Sequence, residues 1–301
     1  MKDFVIRNPK EEDAEQIGSL DFVLNMTYLY HGDLDKRNML CAVNGEDKII
    51  AVAHLMEHET FHAAGHDEDK DFIRYLKFQI LFADGVEDEQ IKDALTDALI
   101  IRSREIKAEH PDKRIVLAEY LDADNLKDLS YYLARGFTIR DTIVVFRFDL
   151  SQDIPRYSLP EGVQVLPFLL DNSEALEQYH QAELASFDGV AWSMNHLRWM
   201  QGSPEMVNFC AFAGNQLIGN TSTWRITDER GATESVFVIP EWQKQGVARS
   251  VICTALEHLK QQGKSIATLG THGNNQKAIR LYTQIGYELY GFILTIGYAI
   301  D

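Results

Sequence analysis

The second half of the chain switches repeatedly between two hydrophobic periods. Alternation of period two marks short strands at 163–168, 207–213 and 216–224, with a Gly-containing turn between the last two. Apolar positions three and four apart mark helices at 173–186, about 246–262 and 275–285, the middle one stopped by Gly263. An apolar run ending Val-Phe-Val-Ile-Pro (236–240) predicts a strand leading into the middle helix. A further strand is expected at 265–270 and a last pair of strands over 287–299. An antiparallel start followed by a strand–loop–helix unit predicts an α/β fold, an α+β mixed sheet.

The first half repeats this pattern. The segment NLKDLSYYLARGF, from Asn125, aligns with NQKAIRLYTQIGY, from Asn275, at one constant offset. The alignment pairs Asn125 with Asn275, Tyr132 with Tyr282, Gly136 with Gly286 and Phe137 with Tyr287. Upstream, MLCAVNGEDKIIA (39–51) matches NFCAFAGNQLIGN (208–220), pairing Cys41 with Cys210 and Gly45 with Gly214. Glu15-Gln16 matches Glu177-Gln178 more weakly. All three matches keep their order, so a domain is duplicated. The lobes are expected at 1–150 and 160–301, divided by the polar, proline-containing stretch 151–162. The changing offsets put extra residues in the second copy between about 178 and 208, around Trp192, His196 and Trp199. In the first copy they fall between the hairpin and the Asn-to-Gly segment.

Charge narrows the partners. The 301 residues carry a formal charge of −17, most of it in the first half. This balance argues against a nucleic-acid backbone as partner and is compatible with a cationic substrate. The N-terminus has no apolar core of a signal peptide, and no apolar run approaches the ~18 residues of a membrane span. Three cysteines, Cys41, Cys210 and Cys253, each stand in an apolar stretch and read as buried thiols of a cytoplasmic protein.

The candidate chemistry lies in VIPEWQKQGVARSVI (238–252). Here a strand ends, a short loop follows, and a helix opens near Gly246. Backbone N–H groups at a helix N-terminus lack intrahelical partners, and the helix dipole adds positive potential. Gly246 and Ala248 are small enough to let a phosphate approach, with Lys244 and Arg249 as nearby cations. Gly263-Lys264-Ser265 looks like the tail of a Walker loop, but His258 stands where the first glycine belongs.

Two motifs together, V-x-P-x-x-Q-x-x-G-x-A and N-x-x-A-x-x-L-Y-x-x-x-G-[FY], resemble the GNAT acetyltransferases over about residues 160–300. Val238, Pro240, Gln243, Gly246 and Ala248 match the first, and Asn275, Ala278, Leu281, Tyr282, Gly286 and Tyr287 the second. The resemblance implies acetyl-CoA as co-substrate, lying between the 236–240 strand and the next. Gln243, Lys244, Gln245, Gly246, Val247, Ala248 and Arg249 would hold its pyrophosphate. A backbone N–H of Phe237 or Val238 would polarise the acetyl carbonyl, with Asn275 also at the cofactor. It further implies direct attack by a small-molecule or peptide amine, and transfer that needs no metal. Glu234, four residues before Val238 and so expected on the same strand face, is the candidate general base. Tyr282 is the candidate acid for the departing thiolate.

The first copy keeps Tyr132 but not the cradle. After the strand FQILFADG (78–85), Glu87, Asp88 and Glu89 fill the place of the pyrophosphate, so this lobe is expected to be silent. Two such lobes with the active one C-terminal resemble the mycothiol synthases. Two rival readings remain. A non-catalytic acetyl-CoA-binding protein would keep the cradle without needing Glu234 and Tyr282. His58-Glu59-Thr60-Phe61-His62 spells the zinc-protease signature, with His54 and His66 nearby. That signature requires a helix, whereas IIAVAHLMEHETFHA alternates like a strand.

Overall fold

The computed structural model describes residues 4–21, 24, 35–60, 73–123, 126–187, 189 and 191–301. The chain divides into two compact units, one of residues 1–141 with 294–301, the other of residues 142–293.

In the first unit, β1 (Phe4–Arg7), β2 (Met39–Asn44), β3 (Ile49–Thr60), β4 (Ile73–Phe82) and β5 (Arg114–Asp122) follow one another across the sheet. The β1–β2, β2–β3 and β3–β4 pairs are antiparallel, and β4 and β5 run parallel from Ile73↔Arg114 to Lys77↔Ala118. Among the described residues, helices α1 (Ala14–Leu20), α2 (Glu89–Glu109) and α3 (Leu129–Ala134) accompany the sheet. The stripe Ile91, Leu95, Leu99 and Ile106 of α2 recurs at helical spacing and packs into a core with Leu76, Phe78 and Leu117. The zinc-protease signature falls on β3, where His58 pairs with Tyr75 and Glu59 with Arg74. These two residues are therefore on a strand, not on the helix that such a site needs, and His62 lies outside the described residues.

The second unit takes the end of β6 (Thr138–Asp149), then β7 (Val163–Phe168), α4 (Ser173–Ser186), α5 (Met194–Met200), β8 (Val207–Ala213) and β9 (Gln216–Arg225). It continues with β10 (Arg230–Val238), α6 (Val247–Gln261), β11 (Ile266–His272) and α7 (Gln276–Ile285). Its strand order is β7-β8-β9-β10-β11-β6, with β10–β11 parallel and every other neighbour antiparallel. The helix α5 occupies the stretch where the second copy has extra residues. The last strand, β12, is one piece from Glu288 to Ile300, not the expected pair. Gly291 and Gly297 have no positive φ, so neither makes the turn that a strand pair would require.

Each unit thus closes its strand order on a segment from the other half of the sequence. Residues 294–301 of β12 follow β5 in the first unit, and residues 142–149 of β6 follow β11 in the second. Ile296 and Ile300 are buried in the first unit's core, and Phe146 and Phe148 in the second's. All three cysteines are buried and unpaired. Among the described residues, no helix is long and apolar enough to cross a membrane.

Candidate active site

The site in the second unit starts from a defect in β10. Pairing with β9 runs in register to Glu234↔Ser222 and resumes at Phe237↔Asn220. Ser235 and Val236 together therefore face Thr221 alone, a β-bulge. Ser235 takes φ 49°, and Asn220 Nδ2 donates to its carbonyl at 2.9 Å. The Thr221 hydroxyl beside the bulge is buried without a hydrogen-bond partner among the described residues.

The bulge overturns one expectation. Strand alternation would put Glu234 and Val238 on one face. The extra residue shifts the phase, and Glu234 shares its face with Phe237 instead. Phe237 packs beneath α4, its ring 5.3 Å from Tyr179 and 6.2 Å from Phe187. Val238 lies on the α6 side: a Cβ built on Gly219 would be 3.1 Å from both Val238 and Val247. Glu234 itself is exposed.

Beside the bulge the parallel pair opens. The β10–β11 register covers only Arg230↔Ile266 to Ala232↔Thr268, while β10 continues to Val238 and β11 to His272. Gly231 lets α6 close over the paired end, since a Cβ there would come within 2.5 Å of Leu259. Thr233 exchanges a 2.9 Å hydrogen bond with the Tyr287 hydroxyl on the same face.

The loop from β10 into α6 is held by its own backbone. Ile239 N donates to Ile218 O at 3.0 Å, Pro240–Trp242 make a 3-10 turn, and the Gln243 amide donates to Val238 O at 3.0 Å. The Gln245 amide turns back to Glu241 O at 2.8 Å. Lys244 (φ 61°) and Gly246 (φ 87°) are both left-handed, and Gly246 is the N-cap of α6. No side chain caps that helix, so no side chain takes up its first N–H groups. A Cβ at Gly246 would lie 3.2 Å from the Ser158 carbonyl oxygen, so φ and space both require glycine. Val247 is buried and Ala248 half-buried. Arg249 bonds the Gln284 amide oxygen and lies over the Tyr157 ring, 5.4 Å from its centroid, so its guanidinium is already engaged. Sequence reading missed Tyr157 and Ser158, which belong to the polar stretch taken as a lobe boundary.

The corresponding helix start in the first unit is closed. Asp88 is the N-cap of α2, and its carboxylate accepts from Gln90 N at 2.9 Å and Ile91 N at 3.4 Å. It occupies the donors that a phosphate would use. Glu87 faces Lys127 at 3.3 Å, and Glu89 is in the first turn.

Tyr282 lies on α7, on the face opposite Glu234. Its ring sits 6.1 Å from Phe146 and 6.0 Å from Tyr287, and burial pushes its phenol up to about 12. Asn275 caps α7 by accepting from Ala278 N at 3.2 Å and donates to Thr271 Oγ1 at 3.2 Å. Asn125, its counterpart in the repeat, lies outside the described residues. One further carboxyl, Glu183 on α4, is buried, and it went unnoticed in the sequence. Its signal is an acid in the otherwise apolar stripe Leu176, Tyr179, Ala182, Phe187. Among the described residues no group of His, Cys, Asp and Glu is arranged to hold a metal ion.

Residues 173–287 match the family described as Acetyltransferase (GNAT). A mycothiol acetyltransferase of Kytococcus sedentarius is 24% identical over 263 residues, covering 81% of this chain and 83% of that protein. One of Streptomyces bingchenggensis is 31% identical over 146 residues, 46% of this chain and 47% of the relative. Among solved structures, a GCN5-related N-acetyltransferase from Sphaerobacter thermophilus aligns over 99% of this chain and 96% of its own, with TM-score 0.65 and 16% identity. A tandem GNAT protein from the clavulanic acid biosynthesis pathway aligns over 100% and 99%, with TM-score 0.66 and 13% identity. At these identities the structural likeness speaks for the fold alone, a mixed α/β architecture like that of the tandem GNAT structures.

Proposed function

We propose, from the premise that residues 173–287 belong to the GNAT family of acetyltransferases, that the second unit moves an acetyl group from acetyl-CoA to an amine. The observation that carries this is the uncapped helix start at Gly246 beside the opening between β10 and β11. A pyrophosphate fits there: the N–H groups of α6 have no competing side chain, the N-cap has no Cβ, and Lys244 is exposed alongside. The bulge takes Ser235 and Val236 out of register with β9, and β10 runs on past the end of its pairing with β11, which supports a free N–H near Val238 as the donor to the acetyl carbonyl.

The acceptor amine must lose a proton before attack, since a free alkylamine has a pKa near ~10. Glu234 is the base for that proton, directly or through water, and its exposure on the α4 face supports entry of the amine from that side. The departing thiolate lies toward Tyr282. The phenol stays protonated at neutral pH because it is buried, and the same burial raises the proton affinity of the thiolate it serves. Base and acid on opposite faces of β10 keep the two proton transfers apart. The first unit binds no acetyl-CoA, because Asp88 already takes the helix donors. The acceptor is a small molecule or peptide amine; the mycothiol acetyltransferase relatives favour a small one. The test is thiol release from acetyl-CoA against a panel of primary amines. Turnover that requires the amine supports transfer, and acetyl-CoA binding without turnover on any amine overturns it in favour of a sensor.

A further inference from the structure

Asn220 stands on β9 beside the bulge of β10 and is fully buried. An amide inside a core is costly unless its hydrogen bonds are made, and asparagine is a poor strand former. Here the side chain acts as a clamp. Its nitrogen donates to the Ser235 carbonyl at 2.9 Å, and also reaches Ser222 Oγ at 3.0 Å and the Tyr179 hydroxyl at 3.1 Å. The Cys210 thiol donates to the amide oxygen at 3.4 Å, so the nitrogen end is the one turned to the bulge. Ser235 is held at φ 49°, a conformation unfavourable to any residue with a Cβ. The duplication supplies a comparison within the same chain. Because 208–220 aligns with 39–51, the pair Asn220↔Phe237 corresponds to Ala51↔Phe82 in the first unit. There the β3–β4 register runs unbroken from Ala51↔Phe82 to Thr60↔Ile73. The lobe that lacks the amide also lacks the bulge, and it is the lobe whose helix start Asp88 closes.

We propose that Asn220 is a positioning residue for acetyl transfer: by holding Ser235 left-handed it sets the phase of β10 beyond the bulge, and with it the direction of the Val238 N–H offered to the acetyl carbonyl. The inference rests on the acetyl-CoA reading of this site. Asn220 is buried beneath the site and acts only through the backbone that it holds. Without the clamp nothing offsets the cost of the left-handed serine, and the strand is free to loosen where the donor must stay fixed.

Difference infrared spectroscopy of acetyl-CoA, isotope-labelled at the acetyl carbonyl and bound to the full chain, tests this. A hydrogen bond to the thioester carbonyl lowers its stretching frequency, so the parent should hold the band below its position in free acetyl-CoA. Asn220→Ala should return the band most of the way to the free position. It should also lower kcat by about tenfold or more, with acetyl-CoA affinity little changed. Should that variant fold poorly, Asn220→Leu fills the volume without a donor and carries the same expectation. Glycine takes a left-handed φ without steric cost, so adding Ser235→Gly to either variant should restore both the band and turnover. A band that the Asn220 substitutions leave at the parent's position overturns the proposal. So does a defect that Ser235→Gly does not repair, since Asn220 would then serve only its packing with Tyr179 and Ser222. Either result leaves amine-dependent turnover by the parent standing. Acetyl-CoA that fails to bind the parent sinks the acetyl-CoA reading and this inference with it, so the two failures are distinct.

Discussion

Tyr282 and Glu234 stand on opposite faces of β10, and substitutions at the two should leave different signatures. Tyr282→Phe keeps the ring among Phe146 and Tyr287 and removes only the phenolic proton. Turnover should fall by about 10²-fold with acetyl-CoA affinity little changed, measured by steady-state kinetics and calorimetry. Wild-type turnover would return Tyr282 to a packing role. Glu234→Gln keeps the shape and removes the base, and its defect should shrink as pH rises, because more of the acceptor is already neutral. A pH–rate profile parallel to the parent's would remove Glu234 from that role. The residue types at these positions were legible in the sequence, but the face of Glu234 was not. Counting by twos assumes an unbroken pleat, and the bulge that breaks it sits on Ser235, which has no side-chain mark of a left-handed φ. Glu183 was hidden differently: an acid on an apolar helix stripe reads as a solvated outlier until the fold covers it.

The elements of the second unit were largely legible, because each follows from local rules. Helix α6 starts where glycine permits φ 87°, and its apolar positions Val247, Val251, Ile252, Leu256 and Leu259 keep helical spacing. The last strand misled because Gly291 looks like a turn residue yet stays extended. The loop into α6 gives the sharpest prediction at this scale. Gly246→Asp would force a side chain toward the Ser158 carbonyl at a left-handed φ and place a carboxylate over the free N–H groups. That is the arrangement Asp88 already shows on α2. Acetyl-CoA binding should be lost by calorimetry while circular dichroism shows the fold retained. Unchanged affinity in a folded variant would move the pyrophosphate elsewhere.

For the whole molecule, the contrast between Asp88 and Gly246 predicts one acetyl-CoA per chain, and a titration that saturates at two equivalents would contradict it. A second prediction concerns pH. Glu119, in the first unit, is buried, and desolvation raises its carboxyl from 4.5 to about 8. The folded state then binds the proton more tightly than the unfolded chain. Stability from this group is therefore full below about 4.5, falls as pH rises toward 8, and levels off beyond. Glu119→Gln should raise the melting temperature at pH 9 relative to the parent and leave it nearly unchanged near pH 4; equal melting temperatures at both would show the carboxyl to be solvated. The duplication itself was visible in the paired motifs. The exchange of final strands was not, because residues 142–149 and 294–301 keep the same apolar character whichever unit they join. That exchange sets an order of events during synthesis. The second unit is one continuous stretch, 142–293, and is complete once that stretch has emerged from the ribosome. The first unit, although made first, must wait for the final eight residues, so the half of the protein that is translated earliest is the last to finish folding.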